Sequence, residues 1–176
     1  MGVLVLGLVL FLGVHSTRIV AEGWRSRMVA RMGEGPWKGL YSLVALVGFV
    51  LVVWGYGLAR QQPVVLWTPS RGMAHLAALL TVAAFILLVA AYVPRNAIRA
   101  RLHHPMVLGV KLWSLAHLLA NGTLADVVLF GSFLLWAIFD FRAARRRAPQ
   151  AGTSPAGSSA VATGVTVGGG LLAWAA

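Results

Sequence analysis

The sequence has no cysteine. Disulfides, thiolate metal ligands and a cysteine nucleophile are therefore excluded, and the redox compartment is left open. Charge is scarce too, at 11% of residues, and it is one-sided: four Asp and Glu stand against fifteen Lys and Arg, for a formal net charge of +11. That excess does not describe a nucleic-acid binder. The basic residues lie between apolar segments and form no patterned basic domain. A Walker loop, a dinucleotide fingerprint and an ordered Ser/His/Asp set are also missing, as is any fixed-period repeat.

What is present is apolar residue, 59% of 176, with a mean hydropathy of +0.81. A soluble domain of this size does not need so much; a polytopic helical membrane protein does. The expected fold is all-α, a transmembrane helix bundle of five firm spans, with a short C-terminal apolar segment left open as a sixth. Met1 to Val20 forms the first. It is read as a retained helix rather than a signal peptide, because no basic n-region precedes it and His15-Ser16-Thr17-Arg18 stands where a small-residue cleavage site belongs. Arg25, Arg27 and Arg31 follow on a basic amphipathic stretch ended by Gly33-Glu34-Gly35-Pro36. The second span is Lys38 to Ala59, with Ser42, Ala45 and Gly48 as a small-residue strip and Trp37, Tyr41 and Tyr56 at its interfaces. Met73 to Val93 is the third span and Thr123 to Phe139 the fifth. Residues 1–147 are one membrane domain, 148–158 a flexible linker, and 159–176 a weak apolar segment interrupted by Gly168-Gly169-Gly170.

The fourth span organises the rest. Pro105 suits a first helical turn, where its missing N–H costs nothing, and Asn121-Gly122 is a stop signal. Between them Leu108, Leu112, Leu115 and Leu119 make one stripe, expected to face lipid. Lys111, Ser114, His117 and Asn121 spread over the other half and are expected to face inward, because polar groups are costly in hydrocarbon. Asp126 is the acid of the outer half, but the helix rise leaves its pairing with Lys111 open.

Loop charge sets the orientation. Segments 15–38, 94–104 and 140–147 hold five, three and four Lys and Arg, whereas loop 60–72 holds two. By the positive-inside rule these three segments are cytoplasmic and the N-terminus is outside. His15 and His104 then sit toward the cytoplasmic face, and His75 and His117 toward the outer face. His104 and His117 are about 20 Å apart along one helix, too far to share a metal ion.

His15-Ser16-Thr17-Arg18, Gly39-Leu40-Tyr41-Ser42-Leu43-Val44, Gly55-Tyr56-Gly57, His104-Pro105-Met106, Lys111-Leu112-Trp113 and Ala116-His117-Leu118-Leu119-Ala120-Asn121-Gly122 resemble the NnrU family, from the N-terminus to about Arg147. The resemblance implies a bacterial inner-membrane protein connected with denitrification. That family is similar to the 15-cis-zeta-carotene isomerases, and the resemblance implies haem b held by histidines and isomerisation of a double bond in a lipophilic substrate. His15, His104 and His117 are the positions that carry over.

A haem b site needs one or two neutral imidazoles, with cations for the propionates. His15 and His104, at one depth on different helices, are the expected metal ligands. Arg18 lies a turn from His15, Arg101 lies close to His104, and His117 is the substitute ligand. The expected surroundings are the lipid bilayer together with respiratory nitrogen-oxide reductase components or a hydrophobic small molecule, and no nucleic acid. Two other readings stand beside this one. His104-Pro105-Met106-Val107-Leu108-Gly109 resembles an element of membrane methyltransferases that bind S-adenosylmethionine, but His103 replaces their arginine and no acidic pair follows the fifth helix. A non-catalytic assembly or regulatory factor is the third class.

Overall fold

The computed structural model describes residues 1–147 and 157–176. Regular structure among them is helical, with eight helices and one isolated bridge between Val65 and Thr123. The helices are α1 (Gly2–Val20), α2 (Glu22–Met32), α3 (Glu34–Ala59), α4 (Arg71–Tyr92), α5 (Ala97–Leu102), α6 (Pro105–Ala120), α7 (Leu124–Arg147) and α8 (Ala160–Ala175). The all-α membrane fold expected from composition is the one observed. Four helices, α1, α3, α4 and α7, are long and apolar enough to cross a membrane, whereas α6 and α8 are shorter. At 16 residues each, these two rise about 24 Å against a hydrocarbon core of about 30 Å. The fourth expected span is therefore a short helix. The expected linker, apart from Gly157 and Ser158, lies outside the described residues.

The chain divides into two compact units. The first comprises residues 1–66 and 123–132, that is α1, α2, α3 and the start of α7. Its centre is the α1–α3 pair, held at backbone distance by glycine. A Cβ on Gly7 would stand 2.5 Å from the Val52 nitrogen, and one on Gly48 would stand 2.6 Å from the Phe11 nitrogen. Gly55 meets the Leu4 backbone in the same way. The contact strip on α3 is thus Gly48, Val52 and Gly55, spaced i, i+4, i+7, rather than Ser42, Ala45 and Gly48; Ser42 is exposed. Close backbone approach of this kind is how apolar helices gain packing where burial from water gives no drive. Leu4 and Leu8 fill the seam.

Ala21 breaks the helix between α1 and α2, and Gly33, at φ 85°, breaks it again before α3. Only a residue without Cβ takes that φ without strain. Gly35 and Pro36 do not end anything: they lie in the first turn of α3, where proline is tolerated.

The second unit comprises residues 67–122 and 133–176. Here α4 is central and packs against both α6 and α8. Its small residues Ala77, Ala84 and Ala90 are buried. Gly109 of α6 is tucked against the Ala84 carbonyl and Leu88, where a Cβ would find both at 3.1 Å. Gly170 of α8 is tucked against Ile86, whose Cα would be 2.6 Å from an added Cβ. The triple glycine weakens α8 as a free helix, but one of its members is the point at which the helix docks.

Asn96 joins α4 to α5. Its side-chain amide donates to the Ala90 carbonyl at 2.9 Å and to that of Val93 at 2.5 Å, while its Oδ1 accepts from the Arg99 amide at 2.7 Å. One buried residue thus satisfies the end of one helix and the start of the next. The α8 start is tied to the same corner. The Ser159 amide donates to the Arg95 carbonyl at 2.9 Å, and the Ala97 amide donates to the Thr163 hydroxyl at 3.0 Å.

Candidate functional site

His15 lies five residues before the end of α1, in the first unit. Its Nδ1–H donates to the Phe11 carbonyl at 2.6 Å. Its ring rests on Phe11, with centroids 4.4 Å apart, and meets Tyr41 edge-on at 5.3 Å. The bond to Phe11 selects the tautomer with the lone pair on Nε2, and a backbone carbonyl behind Nδ1 is the usual support of a metal-ligating imidazole. This histidine fits an axial ligand. Arg18 fits a propionate partner less firmly: its Nε is 4.0 Å from Glu22 Oε2 and its side chain is 65% exposed, so that ion pair is loose.

His104 and His117 belong to the second unit and mark opposite ends of α6, as their spacing requires. His104 is the N-cap residue but makes no side-chain capping bond. Its Nε2 is buried, and its ring stands perpendicular to Phe141 at 6.1 Å. His117 stacks edge-on against Trp113 at 5.0 Å, and Trp113 meets Phe133 at 5.6 Å. The His117 carbonyl accepts from both the backbone amide and the Nδ2 of Asn121, at 3.0 and 2.9 Å, so Asn121 is the helix stop its position implies. His75 and His103 are exposed, and His103 adopts a left-handed φ of 60°.

The leucine stripe of α6 is not the lipid face it was expected to be. Leu115 is exposed, but Leu108, Leu112 and Leu119 are half-buried. Gly109, about a quarter-turn round the helix from the stripe, meets α4 at Ala84 and Leu88, so α4 covers the flank beside the leucines. Ser114 is fully buried, while Lys111 and His117 are partly so.

Lys111 finds no carboxylate among the described residues. Its ammonium sits over the Phe141 ring, 4.0 Å from the centroid, and the Arg145 guanidinium carbon lies 5.9 Å from that same ring. A charge in an apolar helix costs about 2.5–3.5 kcal/mol on the mild insertion scale. A desolvated cation–π contact returns about 2 kcal/mol. The ring therefore offsets most of the cost but supplies no countercharge.

Asp126, weighed from sequence as a partner for Lys111, is committed elsewhere. It is 4% exposed, within the first unit. Oδ1 accepts from the Tyr56 hydroxyl at 2.6 Å, and Oδ2 accepts from the Thr123 hydroxyl at 2.6 Å and the Thr123 amide at 2.9 Å. The Asp126 amide donates back to Thr123 Oγ1 at 3.3 Å. This is a reciprocal capping box at the start of α7, latched to α3 by a tyrosine. Thr-x-x-Asp was the available signal. Tyr56, read as an interface residue, has its partner seventy positions away.

Among the described residues, no three His, Asp or Glu side chains gather as a metal cluster. Haem iron, whose other four ligands are the macrocycle's own, needs only one or two imidazoles. Against known families, the model described as NnrU protein matches residues 3–176. No curated protein and no solved structure matches the chain.

Proposed function

Because the chain belongs to the NnrU family, we propose that it is a haem-b-binding protein of the bacterial inner membrane, with its N-terminus outside, acting in nitrogen-oxide metabolism or on a lipophilic substrate. The observation that carries this reading is the His15 imidazole, fixed by its Nδ1–H bond to Phe11 on an apolar helix. His15 and His104 are the proposed iron ligands, with His117 as the substitute, and Arg18 is the proposed propionate partner. Bound haem would supply a redox-active, Lewis-acidic iron. The protein's own part is to hold the imidazole in one orientation, which the Phe11 carbonyl does, and to wall it with aromatic rings, as Phe11 and Tyr41 do. The orientation rests on the three basic segments.

The test is a redox difference spectrum on detergent-purified, haem-reconstituted wild type, His15→Ala and His104→Ala. Wild type should give a Soret band, and each variant should lose or alter it. A wild type without a Soret band ends the haem reading. Two variants that both retain a bis-imidazole spectrum overturn the ligand assignment and move the search to His75 and His117.

A further inference from the structure

The acids near α2 are already engaged. Glu22 pairs with Arg25 at 3.1 Å and with Arg18 at 4.0 Å, and Glu34 pairs with Lys38 at 2.8 Å. Arg27 and Arg31 of α2 are exposed and join no ion pair among the described residues. The helix that carries them is short of packing as well. It has 11 residues, none of them buried. An isolated helix of that length is marginal in water and depends on an apolar face for its stability.

Its place in the fold is the end of a helical hairpin. The α1 and α3 helices run antiparallel, with Leu4 beside Gly55, Gly7 beside Val52 and Phe11 beside Gly48. The same register sets Val20 level with Gly39, and α2 joins α1 to α3 at that end. Both partners are long and apolar enough to cross a membrane, so in a bilayer α2 sits at the surface. At about 100° per residue the surface of α2 divides into rows. Glu22, Arg25 and Val29 are half-buried and face the protein. Gly23, Ser26 and Ala30 follow as an exposed row of small residues, and Arg27 and Arg31 come next. Trp24, Met28 and Met32 complete the circuit. Trp24 is 46% and Met32 41% exposed, although the Trp24 ring also meets Trp37 of α3 edge-on at 5.6 Å. The free surface thus passes from small to cationic to apolar, in the order in which a bilayer passes from water to phosphate to acyl chain. A free phosphate ion would use the arginines alone and leave the apolar row in water.

We propose that α2 is an interfacial helix that binds an anionic membrane surface: Trp24, Met28 and Met32 enter among the acyl chains, and Arg27 and Arg31 hold the phosphates of anionic phospholipids. Charge complementarity selects the anionic lipid, because Glu22 and Glu34 are neutralised by other cations and leave the charge of these two arginines uncancelled. The bilayer also supplies the apolar surroundings that the protein does not give this helix. The site is independent of the haem reading and rests only on the membrane character of the chain.

Because the chain has no cysteine, a single apolar fluorophore can be placed on full-length Met32→Cys or Ala30→Cys. The labelled protein is set in phosphatidylcholine nanodiscs that carry a small share of nitroxide-labelled phosphatidylglycerol or nitroxide-labelled phosphatidylcholine. The probe at 32 should be quenched by nitroxide lipid and spared by aqueous iodide, and the probe at 30 should behave in the reverse way. Nitroxide phosphatidylglycerol should quench the probe at 32 in preference to nitroxide phosphatidylcholine, and inorganic phosphate at constant ionic strength should not remove the preference. Arg27→Gln and Arg31→Gln should each lower it about fivefold, and the double variant by more, following roughly one such step per interfacial charge. Both arginines are exposed and outside any ion pair, so these variants leave folding intact. Arg71→Gln, at the start of α4, is the control and should keep the full preference. The proposal is overturned if iodide quenches both probes and nitroxide lipid neither, if the two lipids quench equally, if the double variant keeps the preference, or if Arg71→Gln loses as much of it. Loss of the preference to inorganic phosphate overturns the lipid assignment in favour of a free-anion site.

Discussion

Replacing Tyr56 by Phe removes one oxygen and little else. The ring keeps its edge contact with Phe130 at 6.4 Å and its place under the Arg60 guanidinium at 5.7 Å. What is lost is the 2.6 Å bond to Asp126 Oδ1, on a carboxylate that is 4% exposed. Water cannot readily replace it there. A hydrogen bond to a charged group contributes about 1.5–3 kcal/mol. For a chain of this length, about 2–4 °C accompanies each kcal/mol, so the melting temperature should fall by about 3–12 °C. Thr123→Ala removes the cap from the other carboxylate oxygen and should cost about 1 kcal/mol or more. Because both changes act on one carboxylate, the double variant should depart from additivity by about 0.5–3 kcal/mol. Thermal unfolding of purified protein in one detergent, followed by tryptophan fluorescence, measures all four members of the cycle. If Tyr56→Phe melts with wild type while Thr123→Ala melts lower, the bond between α3 and α7 contributes nothing and the latch is refuted.

Gly170→Val should lower the melting temperature through about 1–3 kcal/mol of overpacking against Ile86, whereas Gly168→Val, which meets nothing within 4 Å, should not; equal melting of the two would show that α8 does not dock through Gly170. Truncation after Arg147, which a weak tail would tolerate, should likewise destabilise the protein, because it strips α4 of the α8 face; unchanged accumulation and melting would contradict this. Reporter fusions at Gln61 and after Arg147 should report opposite sides of the membrane, and agreement between them would reverse the charge-based orientation.

The ends of α6 were legible because Pro105 and Asn121 carry their own reasons to start and stop a helix, and those reasons are local. The same holds for the all-helical membrane character, which composition alone requires. Packing partners were less legible. Ser42-Ala45-Gly48 and Gly48-Val52-Gly55 are both small-residue strips at helical spacing, and only Gly7 on α1 decides between them. The stripe of leucines on α6 looked like a lipid face because hydrophobicity does not distinguish lipid from another apolar helix. The helix rise left the pairing of Lys111 with Asp126 open, and its partner is an aromatic ring thirty residues on. Tyr56 and Asp126 meet across seventy residues, a pairing that no local pattern encodes, although the Thr123–Asp126 box beside it was present in the sequence. Each histidine could be assigned to its helix; its chemical environment, such as the Phe11 carbonyl behind His15, required coordinates.

The docking of α8 onto α4 also bears on how the protein is made. The ribosome completes Arg71–Tyr92 long before it reaches Ala160, so α4 enters the bilayer with the surface around Ile86 still waiting for its partner. In the interval that surface must be occupied by lipid or by an insertion chaperone, and the late helix has to displace the occupant. The corner at Arg95 and Ala97 gives the arriving chain its first hold, through backbone groups that α4 and α5 have already positioned. Ribosome stalling between those two points should yield a membrane-inserted intermediate that is degraded faster than the finished chain.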